Sequence, residues 1–116
     1  MAEPKLKVLF VCTANAMRSA TAHEIYRADP RFEVQSAGTS ILAERELNSE
    51  LLAWADAIIV MEKHHRQFIR KYYPEVYRQK RIVCLYLPDD YLYMAPELIA
   101  ALRERVEDVF RRGLLR

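Results

Sequence analysis

Apolar residues fall along this chain in short blocks separated by polar, helix-forming stretches. Residues 5–11 read Lys-Leu-Lys-Val-Leu-Phe-Val, a run of β-formers with no helical period, and predict a buried strand. Residues 56–61 and 81–87 repeat that pattern. Residues 32–35 make a shorter strand that runs into Ser36-Ala37-Gly38-Thr39, where Gly38 permits a turn. Between the strands, residues 18–28 are mostly good helix formers and Pro30 stops them. Residues 46–55 have helical character, and residues 63–71 predict a basic helix ended before Pro74. The last helix starts at Pro96, with Leu98, Ile99, Leu102, Val106, Val109 and Phe110 at helical spacing and Gly113 as its C-terminal cap.

Strand and helix alternate throughout, which predicts an α/β fold: a four-stranded parallel sheet with helices on both faces and right-handed crossovers. A chain of 116 residues is one domain by size, so residues 1–116 are read as a single three-layer unit. In such sheets ligands sit beyond the carboxyl ends of the strands. The loops after Val11, Gln35, Met61 and Leu87 are therefore expected on one rim.

Composition narrows the class. Hydrophobic residues are 52% of the chain, enough for a real core, and Gly (2) and Pro (5) are too scarce for a low-complexity segment. The apolar run of residues 8–12 is too short for a signal segment or a membrane span, and two cysteines make no disulfide framework. A cytoplasmic protein with no membrane partner is expected. The net charge is only +2, but residues 63–81 hold seven Lys or Arg against the single acid Glu75. A solvated helix face accounts for that excess; RNA or an acidic protein substrate is the alternative.

The loop that follows the first strand is Cys12-Thr13-Ala14-Asn15-Ala16-Met17-Arg18-Ser19. A short loop leading from a strand into a helix aims successive backbone N–H groups into one concavity at the positive end of the helix dipole. Residues 13–17, Thr13, Ala14, Asn15, Ala16 and Met17, would thus cradle a phosphate-sized anion, and Arg18 would add paired N–H bonds to its oxygens. Cys12 would lie at the bottom, its thiolate favoured by the same amides, as a nucleophile toward phosphorus. Ser19 can bond the sulfur and help it leave, and Asn15 tolerates the backbone angles a tight loop requires. Cys84, inside an apolar run, reads as core filler.

A leaving group needs a proton. Leu87-Pro88-Asp89-Asp90-Tyr91 follows the fourth strand onto the same rim, so Asp89 or Asp90 is expected as general acid and then base. Tyr91 and Tyr93 are candidate walls of a substrate pocket. His64-His65 has no companion acid or cysteine at ligand spacing along the chain, and no metal site is expected.

Residues 8–12 (Val-Leu-Phe-Val-Cys), Asn15, Arg18-Ser19, Ser36-Ala37-Gly38-Thr39, the strand at 56–61 and Pro88-Asp89 together resemble the low-molecular-weight protein tyrosine phosphatase family, and more narrowly a compact bacterial branch of it. The resemblance runs from the first strand to the acid loop. It implies the phosphotyrosine protein phosphatase I-like fold, no cofactor, a phosphocysteine on Cys12, Arg18 as phosphate clamp and Asp89 as general acid. It implies a phosphorylated protein or small phosphate ester as substrate. Three departures stand out: Ala14 replaces the loop's usual glycine, Met17 replaces a second cysteine, and Asp90 replaces the proline of the Asp-Pro pair. The stretch between Thr39 and Asp56 is also short, which predicts a shallow site. Nucleotides or 2′,3′-cyclic phosphates, a phosphate-binding module without turnover, arsenate reduction and a phosphocarrier are the competing uses of the same cradle. The sequence leaves the oligomeric state undefined.

Overall fold

The structure, a computed structural model, describes residues 4–116. Its elements are β1 (Leu6–Cys12), α1 (Arg18–Tyr26), β2 (Phe32–Gly38), α2 (Ser49–Trp54), β3 (Ala57–Val60), α3 (Lys63–Tyr72), α4 (Pro74–Gln79), β4 (Arg81–Cys84) and α5 (Pro96–Arg111). The four strands form one parallel sheet in the order β2-β1-β3-β4, as the alternation predicts. β1 lies inside the sheet between β2 and β3, and alternation along it divides the core in two. Val8, Phe10 and Cys12 join the cluster under α1 and α5, while Leu9 and Val11 join the one under α2 and α3. Every apolar residue of β1 has a helix layer to bury against, so the strand reads as a continuous run.

Three boundaries differ from expectation. β2 continues through Ser36, Ala37 and Gly38 because β1 pairs with it residue for residue, up to Cys12 opposite Gly38. Pairing there outweighs weak strand propensity. β4 ends at Cys84 rather than Leu87: Tyr86 has φ 56°, which breaks the strand, although Leu85 N and Leu87 N still donate to Val60 O and Met61 O. Pro74 ends α3 and also begins α4, an additional helix, because its fixed φ suits a first helical turn.

α5 ends as predicted. Gly113, at φ 72°, donates to Phe110 O, and Leu114 donates to Val109 O, the two bonds of a Schellman cap. Ile99 and Phe110 are partly buried beside the buried Leu98, Leu102, Val106 and Val109. Among the described residues no helix is long and apolar enough to cross a membrane.

Candidate active site

Cys12 is the last residue of the central strand, 2% exposed, and the chain then loops through residues 13–17 into α1. Three successive loop carbonyls are bound from outside by the segment after β2. Thr39 N donates to Cys12 O, Ser40 N to Thr13 O and Glu44 N to Ala14 O, at 3.0–3.1 Å. In a trans peptide the C=O and N–H point in opposite directions. Anchoring these carbonyls on one side therefore turns the N–H groups of Thr13, Ala14 and Asn15 to the other, into the concavity. α1 follows with no side-chain cap on its first turn, so its own amides add to the same positive end.

Gly38 makes the anchoring possible, for a different reason from the turn expected of it. A Cβ there would stand 2.4 Å from Thr13 O, 2.6 Å from Ala43 Cβ and 2.9 Å from Asn15 N. It is the absence of a side chain that lets the two segments touch. The short stretch after Thr39 thus braces the loop from behind. It also carries Ile41 and Leu42, both more than four-fifths exposed.

Asn15 takes φ 54°, a left-handed angle that asparagine tolerates, and its side-chain amide donates to Ser19 Oγ at 2.8 Å. Ser19 Oγ also lies 2.9 Å from Cys12 Sγ and 3.4 Å from Ala37 O, so its one hydroxyl proton has the sulfur and that carbonyl as acceptors in reach. Asn15, Ser19 and Cys12 are all buried, so the chain of bonds is shielded from water.

Arg18 opens α1 and is 1% exposed. Its Nη1 donates to a Glu62 carboxylate oxygen and, at 2.8 Å, to Leu87 O. Among the described residues Nη2 has only the Asp89 carboxylate, at 3.7 Å, beyond hydrogen-bond distance, which leaves its N–H groups unspent. Glu62, the residue after Met61 on the same rim, supplies the countercharge that makes burial of Arg18 tolerable. Burial works to raise the Glu62 carboxyl, and the Arg18 hydrogen bond and charge outweigh it, leaving the group below its ordinary value.

Glu62 also caps α3 reciprocally with His65. Its backbone N–H donates to His65 Nδ1 at 3.0 Å, which puts the ring proton on Nε2, 2.9 Å from Thr13 Oγ1. His65 is fully buried. Burial, followed by the His64 and Arg18 charges, pushes its pKa down to about 3, so it is a neutral donor to the loop.

The companion acid sought for His64-His65 is therefore present. Glu62, His64 and His65 bring one ligand atom each within 4.8 Å. The premise that no acid stands near the pair is corrected by the fold. Both ring nitrogens of His65 are already bonded, and the Glu62 carboxylate is held by Arg18, which makes the cluster a brace of the loop. Glu62 and the His65 contact escaped the sequence reading because their partners lie 44 and 52 residues away. The end of the third strand was the signal that pointed to them.

The acid loop is differently made. Asp89 is 68% exposed and faces Arg18, whereas Asp90 is exposed without an ion pair among the described residues. Tyr91 packs partly against the core, and Tyr93 is half exposed. Met94, at φ 58°, ties the loop back through its N–H to Thr21 Oγ1 at 2.9 Å. Cys84 is buried in the cluster under α2 and α3, and burial raises its thiol.

No protein-family model matches the chain, and no curated protein does. Solved structures do. A low molecular weight protein tyrosine phosphatase from Streptococcus pyogenes superimposes with a TM-score of 0.76 at 18% identity, over 92% of either chain. Wzb from Vibrio vulnificus, solved with benzylphosphonate, gives 0.68 at 20% identity, over 96% of this chain and 98% of that one. The YwlE arginine phosphatase of Geobacillus stearothermophilus gives 0.62 at 24% identity, over 94% and 90%. Sheet order, helix placement and these superpositions agree: the chain has the fold of the low molecular weight protein tyrosine phosphatases.

Proposed function

We propose that the protein is a cysteine-dependent phosphatase that hydrolyses phosphate monoesters, with phosphotyrosine in proteins as the leading substrate class. A fold hosts many chemistries, so the reading rests on the site. The observation that carries it is the buried Asn15–Ser19–Cys12 chain at the base of a loop whose amides converge, with Arg18 alongside. That set supplies a nucleophile and a prearranged anion receptor in one place.

The steps follow from the positions. The substrate phosphate occupies the concavity, its oxygens bonded by amides of residues 13–17 and by Arg18. The Cys12 thiolate attacks phosphorus as the P–O ester bond breaks, and the protonated Asp89 carboxyl gives its proton to the leaving oxygen. Water then attacks the phosphocysteine, Asp89 takes its proton, and the P–S bond breaks while the Ser19 hydroxyl stabilises the departing thiolate. Inorganic phosphate and the free alcohol or phenol leave, and the enzyme is restored.

Asp89 is preferred over Asp90 as the acid because its carboxylate faces Arg18. Tyr93 and the exposed Ile41 and Leu42 are candidates to meet the substrate's ring. The nucleotide alternative drew on the basic stretch of residues 63–81. Arg66, Lys80 and Arg81 of that stretch line concavities along β4 instead, so the monoester reading is favoured. The test is p-nitrophenyl phosphate hydrolysis from pH 5 to 8 by wild type and Cys12→Ser, with a 2′,3′-cyclic nucleotide in parallel. Turnover of the aryl phosphate, lost in the variant by about 10⁴-fold or more, supports the thiol route. Equal rates in both proteins, or cleavage of the cyclic nucleotide alone, contradict it.

A further inference from the structure

The proposed chemistry leaves the basic stretch of residues 63–81 without a role, and the fold gathers part of it along one border. Among the described residues β4 is the sheet's edge strand, paired only with β3, so alternate N–H and C=O groups of Arg81–Cys84 face outward without a partner strand there. Three grooves follow one another along this edge. The first, about 270 Å³, opens beside the site between Glu62, Lys63, Tyr86 and Pro88. The second, about 400 Å³, shares Tyr86 and passes Arg66, Arg81 and Arg112 over an apolar floor that includes Val83 and Leu114. The third, about 350 Å³, shares Arg66 and continues past Lys80 over Ile82.

Positive charge along this path is largely uncompensated. Lys63, Arg66 and Arg81 make no ion pair among the described residues, and Arg66 Nε is buried with no hydrogen-bond partner. The neighbouring acids are spent: Glu62 on Arg18 and His64, Asp108 on Arg111 and Arg112. Tyr86 marks the junction with the active-site rim. It is 62% exposed between buried Leu85 and Leu87, and its φ of 56° is a left-handed angle that strains a non-glycine residue. Arg105 holds this conformation by donating to Leu85 O and Tyr86 O at 2.6 and 2.7 Å.

We propose that the β4 edge and its grooves dock an extended acidic segment of the protein substrate, with Arg66 and Arg81 receiving its carboxylates. The inference rests on the phosphatase reading and adds to it the sequence that flanks the phosphorylated residue. Neighbouring strands lie about 4.8 Å apart, so β4 is about 10 Å from the line of β1 and Cys12. Roughly three residues of extended chain cover that distance. Acidic residues beginning three or four positions from the phosphorylated side chain reach Tyr86 first and the two arginines next. A polypeptide fits better than RNA, because an open strand edge offers main-chain bonds and the second groove has an apolar floor.

The test is fluorescence anisotropy with a labelled, unphosphorylated peptide alternating Glu with Val and Thr. A version with Lys for Glu and a uridine-rich RNA oligonucleotide serve as competitors. The proteins are wild type, Arg66→Glu/Arg81→Glu, and the milder Arg66→Gln/Arg81→Gln, which carries the test if the first does not fold. The acidic peptide is expected to bind wild type about tenfold or more tightly than the Glu variant, and severalfold more tightly than the Gln variant. For a phosphotyrosine peptide with the same flanks, KM should rise in the variants while kcat holds. Hydrolysis of p-nitrophenyl phosphate should be unchanged. Equal peptide affinity in all three proteins, no binding to wild type, or RNA competing as well as the peptide overturns the docking proposal. Absence of aryl phosphate turnover in wild type strikes the catalytic reading instead and leaves the binding measurement to stand alone.

Discussion

The two loops that supply the proposed chemistry are built in opposite ways. The Cys12–Ser19 loop buries Cys12, Asn15, Arg18 and Ser19 and is held from three directions: by the segment after β2 behind its carbonyls, by His65 on Thr13, and by Glu62 on Arg18. The loop carrying Asp89 is exposed and is tied back through Met94 and Thr21. An anion receptor gains from rigidity, because dipoles already aligned need no reorganisation as charge develops. A proton donor must reach leaving groups of differing shape and exchange its proton with water, which suits an exposed carboxyl. The rigid half is expected to set the rate of attack on phosphorus, and the looser half to set the response to the leaving group.

That contrast can be broken at graded points. The largest effect is expected in the rigid loop. Arg18→Lys removes the paired N–H geometry and should cut kcat/KM for p-nitrophenyl phosphate by about 10³-fold or more. A fall of less than tenfold would mean that Arg18 does not clamp phosphate. On the looser loop, Asp89→Asn should slow the same reaction by about 10²- to 10³-fold, and Asp90→Asn by less than about threefold. Poor leaving groups should suffer most. A reversed order would make Asp90 the acid.

Gly38→Ala probes the rigid loop through its support. The new methyl meets backbone atoms that cannot yield, so a loss of about 2–3 kcal/mol is expected in denaturant melts, with activity falling in step. Unchanged stability would show that the loop is not wedged as described. The effect that is smallest at neutral pH, and grows only in acid, concerns His65. Its native pKa of about 3 lies below the ordinary 6.5, so between those values the unfolded chain binds a proton that the native protein does not. Stability from this group is therefore full above pH 6.5 and falls as pH drops toward 3, by at most about 1.4 kcal/mol per pH unit. His65→Asn should flatten that acid arm in thermal melts. An unaltered slope would assign it to other groups.

Much of this was legible in the chain. The strand ending in Cys12, the loop and the Arg18-Ser19 helix start are contiguous, and local sequence encodes them. So does the start of α5 at Pro96. The supports were not legible, because Glu62 and His65 meet the loop only after β3 has paired beside β1, and no spacing within one segment encodes that meeting. Gly38 was visible as a glycine, but whether it serves a turn or a close approach depends on what packs against it. Pro74 marks a stop in the sequence without showing the helix that follows, because proline ends one helix as readily as it begins another. Tyr86 broke an otherwise uniform apolar run through a backbone angle that side-chain hydrophobicity does not report.

The central claim is that phosphate passes through the Cys12 sulfur. The most direct measurement is to mix wild type with p-nitrophenyl phosphate, quench in denaturant during turnover, and map the digested protein by mass spectrometry. The account predicts a phosphate added to the peptide holding Cys12, enriched in Asp89→Asn, whose hydrolytic step lacks its base, and absent in Cys12→Ser. Steady turnover with no phosphate on Cys12, or with phosphate on another residue, would contradict it.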